Sequence, residues 1–298
     1  MPPTPPSTSP HAISGTTRIF GVIADPISHV QAPAVFNPLF IKNQLDAVMV
    51  PIHIRPSDLS QVLPALARLP NMGGVAVTIP HKMAAAGLCQ TLGVAAEATS
   101  AVNAIRFADD GNMHGDNFDG AGFVAGLMGE GRGHALAGKH VLLLGAGGAA
   151  RGIALALAEF ANKNTHGDSP TTTPTKTKPI ASLHIANRSR ERGEALVTLI
   201  NQHYPALPVV ASGLNVNDQD KSKFGLIINA TSLGLKDTDP LPMSLKGVAK
   251  SCIIADIIMQ PETTPWLTHA HTLALTTHEG KFMLAYQRDL IGKFLGIL

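Results

Sequence analysis

Gly145, Gly147 and Ala150 occupy the three positions of a G-x-G-x-x-A turn inside His140 to Arg151, HVLLLGAGGAAR. In such a turn the first glycine permits the tight bend and the second lets the backbone approach a pyrophosphate. The third small residue lets helix and strand pack closely, and the helix N-terminus faces the phosphate charge. Ordinary turns also carry glycine pairs after apolar runs, so the loop alone leaves that alternative open. A second signal is Asn187-Arg188-Ser189-Arg190, with Arg192 close behind. A site for a free ribose 2′-hydroxyl places Asp or Glu here, whereas arginine accommodates a 2′-phosphate. Arg188, with Ser189 and Arg190 or Arg192, is suited to charge-assisted bonds to that phosphate. Solvated arginines at a helix start are the plainer alternative. Together the two motifs point to NADP.

These residues need particular elements beneath them. Val141 to Leu144 is an apolar run suited to a strand buried on both faces of a parallel sheet, and Arg151 to Ala161 is rich in helix formers. Ser182 to Ala186 reads as the next strand. The two motifs lie further apart than the usual ~20 residues. The polar, Thr/Pro/Lys-rich stretch Asn162 to Lys178 explains the excess as a mobile insert over 162–179. Ahead of the glycine turn, strands are expected at Arg18 to Ala24, Ala47 to His53 and Gly73 to Thr78, and a short one around Ala101 to Arg106. Helices are expected from Pro33 to Asn43 and from Asp58 to Arg68, and Asp109-Asp110-Gly111-Asn112 is hairpin-like. A helix opens near Asp119 and runs to Leu127. Strands follow at Phe224 to Asn229 and Cys252 to Ile258, and the end from Gly280 to Leu298 has helical spacing. Alternating strands and helices on both sides of the glycine turn predict an α/β protein of two domains.

Composition bounds the rest. A chain of 298 residues is long enough for two cores, and 45% hydrophobic residues suit a well-buried protein, as does a mean hydropathy of +0.16. A net charge of +2 gives no reason to expect nucleic acid, and no apolar run reaches membrane-spanning length. The first 17 residues lack the apolar core of a signal peptide and read as a disordered tail, which makes the cytoplasm the expected compartment. Cys89 and Cys252 sit in no ligand spacing and read as reduced, buried thiols. His269, His271 and His278 lack the i, i+4 pairing of zinc hydrolases, so no catalytic metal is expected.

Gly-Ala-Gly-Gly-Ala-Ala-Arg, Asn-Arg-Ser, Asn-Ala-Thr-Ser-x-Gly, Val-Thr-Ile-Pro-His-Lys and Gly-Asp-Asn-Phe-Asp-Gly together resemble the shikimate/quinate dehydrogenase family, from Gly21 to Gln287. The resemblance implies a substrate-binding and catalytic domain over 18–118 plus 280–298. A Rossmann-type NADP-binding domain with a parallel sheet would cover 119–279, and a cleft would separate the two. It implies reversible hydride transfer between NADP(H) and a secondary alcohol of a cyclic hydroxy acid, of the kind used in aromatic amino acid biosynthesis. Lys82 and Asp119 match the family's catalytic pair. Loss of the hydroxyl proton requires an ionisable group at that oxygen, which Lys82 would be, with Asp119 positioning it. Thr78, Asn103 and Gln287 match substrate-binding positions. Ala146, Gly148 and Ala149 in the turn, Asn187, Asn229 and Thr231, and Gly280 match the cofactor side. For Asn229 and Thr231 an ordinary turn stays open.

The chain also departs from the family pattern. Two serines whose hydroxyls bind the substrate carboxylate are replaced by Val30 and Ala32, beside His29. Ala76 stands for an Asn, Phe118 for a Thr and Met259 for a Tyr. Several polar contacts becoming apolar together predict an altered substrate. The expected partners are then a small molecule, with no nucleic acid or membrane, and the chain would be a monomer or homodimer. A non-catalytic NADP-binding regulator on the same fold is the alternative, which turnover of any alcohol would exclude.

Overall fold

The computed structural model describes residues 13–28, 30–163, 180–214, 216–236 and 238–298. Its contacts divide the chain into two units, one running to Asn117 and including Arg288–Leu298, the other spanning Phe118–Gln287. His29, residues 1–12 of the expected tail and 164–179 of the expected insert lie outside the described residues.

The first unit is built in chain order from β1 (Arg18–Ala24), α1 (Ala32–Lys42), β2 (Ala47–His53), α2 (Leu59–Leu66) and β3 (Met72–Val77). It continues through α3 (Lys82–Ala86), β4 (Thr91–Leu92), α4 (Val94–Thr99), β5 (Ala104–Phe107) and β6 (Met113–Asp116). The sheet order is β2-β1-β3-β5-β6-β4. The first three strands are parallel, and β5 runs antiparallel to both β3 and β6. Phe20, Val22, Ile23 and Ala24 of β1 are all buried, as a strand covered on both faces requires. Leu59 and Leu63 of α2 pack with Ile23, Val75, Val77 and Ile105, so the helical spacing of α2 delivers its apolar stripe to the sheet. On α1, the Phe40 ring meets those of Phe36 and of Phe20 on β1 in tilted geometry. The hairpin-like tetrapeptide turns β5 into β6, closed by Ala108 N–H to Asn112 O at 2.9 Å. Residues 13–17, expected as part of the tail, lie among the described residues. Thr17 is buried, and the Thr16 and Thr17 hydroxyls donate to Asp46 at 2.7 and 2.6 Å.

The second unit holds α5 (Asp119–Gly129), β7 (Lys139–Leu144), α6 (Gly148–Lys163), β8 (Ile180–Ala186), α7 (Arg190–His203) and β9 (Val209–Ser212). It ends with α8 (Asp218–Lys221), β10 (Phe224–Asn229), β11 (Ile253–Asp256), α9 (Pro265–Thr272), β12 (Thr276–His278) and α10 (Lys281–Phe294), whose residues after Gln287 belong to the first unit. All six strands are parallel, in the order β9-β8-β7-β10-β11-β12. Numbered within the unit this is 3-2-1-4-5-6, the order of a dinucleotide-binding sheet, which reverses between β7 and β10. Leu142, Leu144, Ile227 and Ile254 pack under Trp266 and Leu267 of α9. Asn162 and Lys163, read from sequence as the start of the insert, are the last residues of α6.

α5 (DGAGFVAGLMG) is a glycine-rich helix, which costs roughly 1 kcal/mol per glycine in intrinsic propensity. Its neighbours explain the choice. A Cβ on Gly120 would lie 1.9 Å from the Gly152 carbonyl oxygen of α6, and one on Gly122 would lie 2.7 Å from the Met283 carbonyl oxygen of α10. Two helices approach α5 backbone to backbone, so side chains have no room there. Among the described residues no helix is long and apolar enough to cross a membrane.

Candidate active site

The glycine turn sits at the carboxyl end of β7, where the strand order reverses and a crevice for a ligand is expected. Gly145 has φ +111°, and a Cβ there would also lie 2.8 Å from the Ala230 carbonyl oxygen, so this position demands glycine twice over. A Cβ on Gly147 or Gly148 would meet nothing within 4 Å. Among the described residues, the space over these two positions is therefore open. Ala149 follows half-buried, whereas Ala146 and Ala150 are buried, Ala150 between helix and sheet. α6 begins at Gly148, three residues earlier than its composition suggests, so Gly148 and Ala149 are its first-turn residues. Their N–H groups lack intrahelical acceptors and carry the positive end of a 16-residue helix dipole. These features fit a dinucleotide pyrophosphate.

One strand over, Gly145 N–H donates to Ala186 O at 2.9 Å, which places Asn187 and Arg188 beside the turn on the same sheet edge. The Asn187 amide donates to Ser189 O at 2.7 Å and holds the loop. Ser189 caps α7, its hydroxyl oxygen accepting from Arg192 N–H at 3.4 Å. Arg190 pairs with Glu194 at 2.8 Å along the helix. Arg188 and Arg192 are exposed, with no side-chain partner among the described residues, so they are the arginines free to receive a phosphate.

On the other side of the reversal, Asn229 is fully buried. Its amide nitrogen donates to Leu233 O at 3.0 Å and to both oxygens of Asp256 at 3.1 Å. Its carbonyl accepts from Thr231 N–H at 3.1 Å and from the Thr231 hydroxyl at 2.7 Å. Thr231 Oγ1 also accepts from Leu233 N–H at 3.1 Å. Both side chains thus shape the loop at the carboxyl end of β10. Gly280 lies against the backbone after β11, where a Cβ would come 2.5 Å from Ile258 O. Met259, in that segment, is 43% exposed.

In the first unit, Thr78, Lys82 and Asn103 come together at one end of the sheet. Val77 N–H donates to Asn103 O at 2.8 Å, and Val102 N–H donates to Lys82 O at 3.0 Å, tying the three segments side by side. Lys82 opens α3 half-buried, and Asn103 is buried. His81 is buried with its Nε2 donating to Ile54 O at 2.8 Å, which anchors the turn that carries Lys82. Val30 and Ala32 are half-buried before and at the start of α1, and Ala76 is buried within β3. Asp119 and Gln287 belong to the second unit, both buried. Asp119 is the first residue of α5, where the helix dipole favours a carboxylate, and Phe118 is its half-buried N-cap. Gly122 of α5 sits against Gln287 of α10, its notional Cβ 2.6 Å from the Gln287 Cβ.

The remaining histidines and cysteines have structural settings. His271 bonds Thr277 at 2.8 Å. His278 is fully buried, with Nδ1 accepting from Arg132 at 3.1 Å and Nε2 without a partner among the described residues, and burial pushes its pKa down to about 4. Burial pushes the thiol of Cys89, which is half-buried, up to about 11 and that of Cys252 up to about 12, so neither is a reactive thiolate at neutral pH. Asp256 is the polar residue that the sequence reading passed over. Its signal was a single carboxylate in the otherwise apolar CIIADII.

Residues 22–105 match the model of the shikimate dehydrogenase substrate-binding domain. A protein of Acidiphilium cryptum named shikimate dehydrogenase (NADP(+)) is 34% identical over 92% of this chain and 89% of its own length. The chain belongs to the shikimate dehydrogenase family. A Rhodospirillum rubrum protein of the same name is 31% identical over 92% of this chain and 90% of its own. Among solved structures, the 5-ketofructose reductase of Gluconobacter sp. strain CHM43 superposes with a TM-score of 0.77 at 26% identity, covering 95% of this chain and 94% of that one. The motif resemblance and the two-domain α/β expectation with a Rossmann-type sheet are borne out, and the chain is an oxidoreductase of this family.

Proposed function

We propose that the protein is an NADP-dependent dehydrogenase that interconverts a secondary alcohol and a ketone on a cyclic hydroxy acid or polyol, with Lys82 and Asp119 as its catalytic pair. The observation that carries the cofactor reading is the glycine turn at the reversal of a 3-2-1-4-5-6 sheet, with unpaired Arg188 beside it in place of an acidic ribose ligand. The names of the Acidiphilium and Rhodospirillum relatives support the same cofactor.

When bound, the cofactor supplies the hydride acceptor or donor. The backbone N–H groups of Ala146 to Ala149 would hold its pyrophosphate, and Arg188 with Arg192 would take the 2′-phosphate. Lys82 accepts the hydroxyl proton of the substrate in oxidation and returns it to the oxygen in reduction. Asp119, matched to the family's second catalytic position, supplies a carboxylate that accepts a hydrogen bond from a substrate hydroxyl. Thr78, Asn103 and Gln287 contribute the hydroxyl and amide groups that fit ring hydroxyls.

The acid end of the substrate is where this chain departs from the family pattern described above. Val30 and Ala32 offer no side-chain donor, and Ala76, Phe118 and Met259 offer none either. The substrate is therefore less polar at that end than shikimate, or carries its acid group elsewhere. The likeness to a keto-sugar reductase supports a wider range of polyols than the family name implies. The test is a screen of shikimate, quinate and neutral cyclic polyols and keto sugars with NADP+ or NADPH. Turnover of one or more with NADP preferred over NAD is expected, and turnover of none would overturn the reading.

A further inference from the structure

Asp256 is fully buried at the carboxyl end of β11, the strand beside β10, and every group bonded to it is a donor. The Asn229 amide donates to both carboxyl oxygens at 3.1 Å, Ile258 N–H donates at 3.1 Å and the Thr264 hydroxyl donates at 2.9 Å. The Thr264 hydroxyl hydrogen is committed to Asp256, because its oxygen already accepts from Leu267 N–H as the cap of α9. An acceptor-only carboxylate is the side chain that satisfies this set. Burial of such a group costs free energy unless its partners are fixed, so the arrangement holds Asn229 as firmly as Asn229 holds it.

From Asn229 the chain of contacts leads to the glycine turn. The Asn229 carbonyl takes both the N–H and the hydroxyl of Thr231. Between them, Ala230 donates its N–H to Leu144 O at 2.9 Å, and its own carbonyl oxygen would lie 2.8 Å from a Cβ on Gly145. The loop after β10 therefore forms one wall of the dinucleotide turn, and Asn229 sets its position. On its other side Asp256 fixes Ile258, whose carbonyl faces Gly280. We propose that Asp256 is a positioning residue for cofactor binding: through Asn229 it sets the 229–231 loop against the glycine turn. The proposal rests on the cofactor reading above and adds to it a residue that does not touch the cofactor.

Binding of NADP+ to the full-length protein tests it, with melting temperature measured on the same samples. Asp256→Asn turns an NH2 group toward the Asn229 NH2, so the dissociation constant for NADP+ should rise about tenfold or more. At saturating cofactor, KM for the best alcohol should stay within about threefold of wild type. Thr264→Val removes the bond on the α9 side only. It should lower the melting temperature comparably while leaving the dissociation constant within about twofold. Should Asp256→Asn fail to fold, Asn229→Ser cuts the same link from the other side and carries the test with the same thresholds. An unchanged dissociation constant in the variant that cuts the link would overturn the proposal. So would affinity losses that track melting temperature equally in the Asp256 and Thr264 variants. A wild-type protein that binds no NADP+ would instead overturn the cofactor reading beneath it.

Discussion

Replacing His278 with leucine should lower the acid sensitivity of the second unit by a measurable share. The imidazole is fully buried beside Phe123 in edge-on contact and Phe282 in stacked contact, with ring centroids 5.5 and 5.1 Å away. Nδ1 accepts from Arg132, so the neutral ring keeps its hydrogen on the unpartnered Nε2. Burial first, then the Arg132 charge, pushes the pKa from the ordinary 6.5 to about 4, against a smaller opposite pull from Glu279. In that interval the unfolded chain binds a proton that the folded protein does not. The contribution is therefore present in full above pH 6.5 and is lost as the pH falls towards about 4. The drop corresponds to roughly 3 kcal/mol at 1.36 kcal/mol per pKa unit. His184, also pushed down to about 4, acts in the same direction but equally in both proteins. Trp266 is the single tryptophan of the chain and lies buried in the same unit, so its fluorescence reports urea unfolding there. His278→Leu leaves Arg132 without its acceptor and should be less stable at pH 7. The informative quantity is each protein's loss between pH 7 and pH 4. Wild type should lose roughly 3 kcal/mol more than the variant. Equal losses, to within about 1 kcal/mol, would refute the reasoning.

Gly120→Ala places a methyl group against a backbone carbonyl that cannot turn aside, and urea unfolding should show a loss of about 1–3 kcal/mol. Gly147→Ala meets no protein atom, so stability should hold while the dissociation constant for NADP+ rises about tenfold or more, as equilibrium titration would read. Arg188→Ala should abolish most of the preference for NADP over NAD, and equal preference before and after the change would count against the arginine. Restoring Val30→Ser with Ala32→Ser should raise kcat/KM for shikimate by about 10²–10⁴, from two charge-assisted bonds of roughly 1.5–3 kcal/mol each. A wild type already efficient on shikimate, and unmoved by the serines, would show the pocket was misread.

The Rossmann-type unit was legible because its signals are local. An apolar run, a glycine turn and an arginine after the next strand fix β7, α6 and β8 without long-range knowledge. The first unit was legible as α/β, but its short elements were not. α3, α4 and β4 are two to six residues long, too short for hydrophobic periodicity to register. The glycines of α5 read as weak helix formers until the backbones of α6 and α10 supply the reason. Asp256 was missed because its partner Asn229 lies 27 residues away on β10, and only the folded sheet brings the two together. Asn229 was placed on the cofactor side by motif, but its complete burial is a property of the fold.

The central claim is that a dehydrogenase of this family uses Lys82 to move the substrate proton. The most direct measurement is the kcat of NADPH formation from the best alcohol in wild type and Lys82→Ala, with NADP+ dissociation constants taken on the same samples. A positioned acid–base group is worth about 10²–10⁴ in rate, so kcat should fall by that factor with cofactor affinity unchanged to within about twofold. A Lys82→Ala protein that keeps more than about a tenth of the wild-type kcat would contradict the account.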